Sequence, residues 1–224
     1  MRSVVIAAWL GLASLTAVPA SAAVGVSIGI NIPAYPRLVS VPGYPVYYAP
    51  NVDANYFFYD GMYWVFDGEN WYDSRWYNGP WTAVDPFYVP AFILRVPVRY
   101  YHRPPGYFRG WRADYAPRWH EHWGGDWASR RGDWNRWDHR SAPRAAPLPS
   151  YQQRYSANNY PGAAQQAQIH SQNYRYTPRE EIVRQHYQDQ RAEQRQERRQ
   201  EQRQEQRQEQ RQEQRQERRD ERQR

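Results

Sequence analysis

Three tight-turn dipeptides fall within Asn55–Trp81, NYFFYDGMYWVFDGENWYDSRWYNGPW: Asp60-Gly61, Asp67-Gly68 and Asn78-Gly79. Asp-Gly and Asn-Gly supply the positive φ angles that two-residue hairpin turns require. Their flanks are almost wholly aromatic or β-branched, which suits a pleated surface. The stretch therefore predicts an antiparallel aromatic meander of three or four strands. A turn at 60-61 pairs Tyr59 with Met62, Phe58 with Tyr63 and Phe57 with Trp64. A turn at 67-68 pairs Phe66 with Glu69, Val65 with Asn70, Trp64 with Trp71 and Tyr63 with Tyr72. Opposed residues share a face. One face then carries Phe57, Tyr59, Met62, Trp64, Phe66 and Trp71, and reads as a core. The other carries Tyr56, Phe58, Tyr63, Val65, Asn70, Tyr72 and Ser74, aromatic but hydroxylated.

The rest of the chain is read around this unit. Residues 1–22 have the form of a secretory signal: Arg2, an apolar run from Val4 to Ala17, and an Ala20-Ser21-Ala22 cleavage site. The apolar run ends at Pro19, short of the ~20 residues that a membrane-spanning helix needs. The expected product is periplasmic or secreted, with no transmembrane segment once the signal is removed. Residues 23–43 form a Pro-rich extended arm that docks on the sheet, and Val46-Tyr47-Tyr48 reads as an edge strand. Residues 44–101 form the aromatic β-meander domain. Pro90 opens a helical turn through Leu94, which Pro97 ends, and Phe92, Ile93 and Leu94 are expected to plug one sheet face. The span Tyr44–Tyr101 holds 20 Phe, Trp or Tyr in 58 residues. So small a sheet cannot hide aromatics on both faces by itself. Either residues 102–140 cover the second face, or it stays open as a contact surface.

Residues 102–140 form an Arg/Trp-rich helical segment. Trp119, Trp123 and Trp127 recur every four residues, with Pro117 and Gly124-Gly125 breaking the pattern into short pieces. The favoured reading packs these rings onto the β unit. The sharper one is a polyanion surface in which Arg neutralises phosphate or sulfate and Trp stacks. The basic excess is concentrated just after the β segment: residues 100–150 hold nine Arg and five acids, against four Arg and six acids in 23–99. Residues 141–176, rich in Pro, Ala, Gln, Ser and Asn, read as a disordered linker. Residues 177–224 open with a helix signal: Thr177 as N-cap, Pro178 at N1 and Glu180 completing a capping box. Beyond Ala192 the tail is a Glu/Gln/Arg low-complexity repeat, with Glu at every fourth position from 193 to 221 and Arg from 191 to 219. This spacing stacks like charges at i,i+4 and leaves no apolar seam for a coiled coil. The tail is either a solvated helix or a disordered chain.

The fold class expected is thus a mainly β small domain, an antiparallel aromatic meander with short Trp-rich helices, a disordered linker and a charged C-terminal helix or tail. The chain has no Cys, which removes disulfides, thiolate nucleophiles and cysteine metal sites, and all 30 basic residues are Arg. No G-x-S-x-G, H-E-x-x-H, P-loop or dinucleotide fingerprint occurs. Asp60 and Asp67 are turn residues, and Asp73 has no partner acid placed near it, so no enzyme is expected. His120-Glu121-His122, with His102 and His139 nearby, is the one metal candidate; residues two apart cannot share a helix face, and neither metal nor cofactor is expected.

Trp76-Tyr77-Asn78-Gly79-Pro80-Trp81 is a W-x-x-G-x-W element. It resembles that of the small exported proteobacterial proteins named for W-x-x-G-x-W repeats, with one intact copy here and partial echoes in the two D-G-x-x-W hairpins. The resemblance implies an exported, non-catalytic envelope protein and carries over no site residues. The leading functional expectation is a module that presents Tyr56, Phe58, Tyr63, Tyr72, Trp76 and Trp81 to a cell-envelope glycan, peptidoglycan or an envelope protein. The alternative is a polyanion binder, for lipopolysaccharide or extracellular DNA, using Arg109, Arg112, Arg118, Arg130, Arg131 and Arg136.

Overall fold

A computed structural model describes residues 29–222; the expected signal, 1–22, and the start of the arm lie outside them. Six strands form one antiparallel sheet in chain order: β1 (Val39–Ser40), β2 (Val46–Tyr48), β3 (Asn55–Tyr59), β4 (Met62–Asp67), β5 (Asn70–Ser74) and β6 (Thr82–Val84). The meander is longer than the three or four strands read from the turns. The strand expected at 46–48 is present, but β1 adds outside it, so it is not the edge.

The first turn folds as expected. Asp60 and Gly61 have φ of 50° and 90°, and Tyr59 pairs with Met62, Phe58 with Tyr63 and Phe57 with Trp64. The second turn differs. Its central residues are Gly68 and Glu69, so Asp67 pairs with Asn70, Phe66 with Trp71, Val65 with Tyr72 and Trp64 with Asp73. Gly68, with φ of 61°, takes the first central position, where a glycine-first turn places its positive φ. The shift moves each partner by two residues. Because side chains alternate with period two, every residue keeps its face. The third dipeptide does not make a two-residue hairpin. Residues 75–81 form a longer connection, and β6 returns to pair Asp73 with Thr82 and Trp71 with Val84. Gly79 has φ of 82°, and a Cβ there would lie 2.8 Å from Trp81 Cδ1, so only glycine fits.

Both faces are buried, by different segments. On the first, Phe57, Met62, Trp64, Phe66 and Trp71 pack under helix α1 (Ala91–Leu94), under helix α2 (Trp119–Arg130) and against Tyr101, Phe108 and Trp134. Ile93 and Leu94 plug this face as expected, while Phe92 is half-buried. The Trp ladder is core: Trp119 stacks on Trp123 at 4.5 Å, Trp123 meets Trp127 at 4.8 Å, and Gly124 breaks the helix between them with φ of 81°. Trp119 Nε1 donates to the Leu94 carbonyl at 2.9 Å, and Trp127 Nε1 to that of Pro86 at 3.2 Å.

The second face is covered not by 102–140 but by the arm and by residues 146–176. The arm adds Ile32, Tyr35 and Leu38. The stretch expected to be a disordered linker instead carries short 3-10 turns at Ser150–Arg154 and Ala157–Asn159 and helix α3 (Ala163–Asn173). Its tyrosines supply the packing: Tyr151, Tyr155 and Tyr160 all set their rings edge-on against Trp76, at 5.8, 5.4 and 5.8 Å. Gln152 is fully buried. Its Oε1 accepts from Tyr63 Oη (3.0 Å) and the Tyr77 amide (3.2 Å), and its Nε2 donates to the Arg75 carbonyl (3.0 Å) and Tyr151 Oη (2.9 Å). Irregularly spaced rings that match a flat sheet face leave no helical or strand period in the sequence, so composition alone reads as a linker.

Helix α4 (Glu181–Arg222) begins later than the Thr177 signal implies, and Asp60 holds the two residues just ahead of it. Its carboxylate accepts from the Arg179 and Glu180 amides at 2.8 and 2.9 Å and from Tyr176 Oη at 2.6 Å. Glu180 turns inward instead of closing a capping box: it accepts from Tyr59 Oη at 2.7 Å and the Ala91 amide at 3.3 Å, and burial raises its pKa. The first turns of α4 dock through Val183, Ile182 and Tyr187, and His186 Nδ1 lies 3.1 Å from the buried Asp73. The low-complexity repeat continues as one helix, about 60 Å long in all.

His170 links the second cover to α4. It is buried, with Nδ1 2.7 Å from Tyr151 Oη and Nε2 2.6 Å from Tyr187 Oη. Burial, with smaller contributions from Arg75 and Arg191, lowers its pKa from 6.5 to about 3. Burial also lowers His122 and His186, whereas the raised Glu180 acts with opposite sign. The unfolded chain binds a proton at His170 below pH 6.5 and the folded chain does not, so stability is full above 6.5 and lost as pH falls toward 3. His170 is expected to cost about 1 kcal/mol between pH 7 and 5.5. Urea unfolding at both values checks this. His170→Gln should flatten that dependence by the same amount; an unchanged slope would show that His170 does not carry it.

Candidate functional site

With both sheet faces closed, the aromatic residues expected to meet a ligand become core. Tyr56, Phe58, Tyr63, Trp76 and Trp81 are buried, and only Tyr72 is half-exposed. Tyr56 Oη donates to the Tyr77 carbonyl at 2.7 Å, and Tyr63 Oη is held by Gln152. The W-x-x-G-x-W element is the seat for the second cover: Tyr160 Oη donates to the Gly79 carbonyl at 2.9 Å and accepts from the Asn78 amide at 2.9 Å. These side chains hold the body together and are closed to a ligand in this structure.

Among the described residues the exposed large aromatics are Tyr88 and Tyr115, the latter in the Arg/Trp segment. A groove of about 530 Å³ runs between the β1–β2 turn, the end of α1, the 111–118 loop and the 134–139 loop. The 111–118 loop folds back on residues 98–99 through Val98 N–H to the Tyr115 carbonyl and Arg99 N–H to the Ala113 carbonyl, both 3.0 Å. Phe108 and Trp111 stack at 4.4 Å. On the other wall, Trp137 packs against Tyr44 at 5.2 Å and His139 at 4.1 Å.

Three guanidiniums line this groove, each placed by an aromatic ring. Arg112 lies 3.8 Å from the centre of Tyr115. Arg118 lies 5.7 Å from Trp111 and pairs with Glu121 at 3.2 Å. Arg95 sits between Phe92 (5.0 Å) and Trp137 (5.4 Å), and its Nε donates to the Trp134 carbonyl. Partial burial lowers the Arg95 pKa; an arginine stays charged regardless. The one carboxylate in the lining, Asp114, is bound by Arg99 at 3.0 Å. The groove thus combines flat rings with cations. Its chemistry is recognition: rings stack on planar or C–H-rich faces, and guanidiniums fork to phosphate, sulfate or carboxylate.

The six arginines expected to bind polyanions separate. Arg112 and Arg118 line the groove. Arg109 is exposed away from it. Arg130 lies over Phe87 at 4.8 Å, and Arg136 pairs with Asp133. Arg131 is structural: its guanidinium donates to the Phe87 carbonyl and to that of Val89, the latter at 2.9 Å, tying α2 to the loop before α1. Sequence reading missed Arg95, Tyr44 and Trp137 as site members. Arg95 falls inside the most aliphatic stretch, and nothing local signals that it faces the 134–139 loop 40 residues on. The histidines do not converge. His122 stacks on Tyr107 at 4.0 Å, His102 approaches Asp53 at 3.7 Å and His120 approaches Glu121 at 3.8 Å. Among the described residues, no three His, Asp or Glu side chains are grouped to hold a metal ion, and no helix is long and apolar enough to cross a membrane.

No protein-family model, no curated protein and no solved structure matches this chain.

Proposed function

We propose that this protein is an exported, non-enzymatic cell-envelope module that holds an acidic glycan in the Arg95/Arg112/Arg118 groove. The observation that carries the reading is the lining itself. Trp111, Tyr115 and Trp137 offer ring faces beside three guanidiniums; the acid in the lining, Asp114, is already bound to Arg99, and Arg118 shares its charge with the exposed Glu121. The volume is in the ~300–1,000 Å³ range of small-ligand sites and suits a short saccharide segment. Sugar C–H faces stack on rings, while arginine forks take phosphate or carboxylate substituents. Export rests on the signal-like residues 1–22, and the W-x-x-G-x-W resemblance points to the same compartment.

The test is titration of the mature chain with lipopolysaccharide-derived phosphorylated oligosaccharide and with its dephosphorylated form, followed by tryptophan fluorescence. The phosphorylated form should bind more tightly, and its affinity should fall as salt rises. Arg112→Ala with Arg118→Ala, both exposed, should weaken it about tenfold to a hundredfold without lowering Tm. Equal affinity for the two forms, or full affinity in the double variant, would refute the assignment. Tighter binding of single-stranded DNA than of either saccharide would do so as well.

A further inference from the structure

A second cavity, about 340 Å³, lies where residues 171–178 and the first turns of α4 meet Arg75 in the β5–β6 connection. Arg75, Arg175, Arg184 and Arg191 all line it, together with Tyr174, Tyr176 and Tyr187, and among the described residues no Asp or Glu does. Three of them, Arg175, Arg184 and Arg191, bring like charges to one wall, and an anion there would relieve their repulsion.

The four cations are not a chance exposed cluster. Arg75 is only 4% exposed and lies 4.5 Å from the centre of the Tyr187 ring. Arg184 is half-buried, and its Nη1 is held by the Arg179 carbonyl at 2.6 Å. Arg191 lies seven residues further along α4, two turns on, and so shares the Arg184 face. Arg175 comes from the segment after α3. None of Arg175, Arg184 and Arg191 forms an ion pair with a described residue. The amides of Arg179 and Glu180, just ahead of α4, are taken by Asp60. Burial lowers the Arg75 pKa, Tyr187 opposes that effect, and Arg191 adds to it.

We propose that this cavity binds a small phosphate-bearing ligand, with Arg175, Arg184 and Arg191 forking to its oxygens, Arg75 beneath, and the tyrosine rings around the remainder. Planar guanidiniums match phosphate bidentately. The site is separate from the groove and does not rest on it. Because its cations come from the second cover, the sheet connection and α4, an occupant would clamp α4 to the body. Its signature is therefore ligand-linked stabilisation.

Thermal unfolding of the mature chain is followed against pyrophosphate and, separately, a hexose 1-phosphate, each with sodium chloride matched for ionic strength. Tm should rise saturably with at least one of them, and not with sodium chloride. The exposed pair Arg175→Gln with Arg191→Gln should raise the apparent Kd about tenfold or more, with the circular dichroism unchanged. Arg112→Ala with Arg118→Ala should leave it unaltered, which separates this site from the groove. A stronger response to the hexose phosphate assigns the tyrosines to the sugar; a stronger response to pyrophosphate assigns the site to the phosphate alone. No shift beyond sodium chloride, an equal shift in the Arg175/Arg191 variant, or loss in the Arg112/Arg118 variant would overturn the proposal.

Discussion

Replacing Gln152 by Leu should lower the unfolding free energy by about 3–5 kcal/mol. The side chains are of similar size, so the effect is polar rather than a cavity. Leucine would strand the Tyr63 hydroxyl, the Tyr77 amide and the Arg75 carbonyl, buried groups that Gln152 now satisfies. Each buried polar group left without a partner costs about 1–3 kcal/mol. Urea unfolding gives the magnitude, and hydrogen exchange gives the place: amides of 146–176 should lose protection before those of β3 and β4. A loss under about 1 kcal/mol would mean that water replaces Gln152 readily, and that the second cover is loosely held.

Trp119→Ala should cost about 3–5 kcal/mol, the range for emptying a large aromatic site in a core. Trp119 is the hub of the first face. It is fully buried, stacks on Trp123, and meets Phe66 at 5.3 Å, Phe108 at 5.5 Å and Trp71 at 6.0 Å. The change also strands the Leu94 carbonyl that its Nε1 now serves. Domains of this kind hold only about 5–15 kcal/mol in total, so the variant should be near its unfolding midpoint at moderate temperature. Near-ultraviolet circular dichroism should weaken together with the loss of Tm. Trp123→Ala, at a half-buried ring of the same ladder, is the control and should cost much less. Equal costs at the two positions would contradict the placement of Trp119 at the centre.

The two residues differ in how visible they are before folding. Trp119 belongs to a four-residue periodicity that any helix turns into a stripe, so its packing role was legible. Gln152 belongs to no pattern. Its burial depends on Tyr63 of β4 and Tyr77 of the β5–β6 connection, 89 and 75 residues away. The candidate site divides the same way. Arg112 and Arg118 were found by charge density, but Arg95 and Trp137 joined them only through the packing of α1 against the 134–139 loop. The aromatic face read as a ligand surface proved to be a second core, because the tyrosines needed to cover it lay in a stretch whose composition looked unstructured.

Locally encoded features were settled by the chain itself. Turn dipeptides, strand alternation and the Trp stripe depend on backbone geometry and nearest neighbours, and alternation with period two preserved both faces even where the second turn moved. Tertiary structure alone decided which segment covers which face, that Asp60 holds the chain entering a helix some 120 residues away, and that four arginines line one cavity. Those outcomes depend on shape matching and on satisfying buried polar groups between distant segments, quantities that no local window contains.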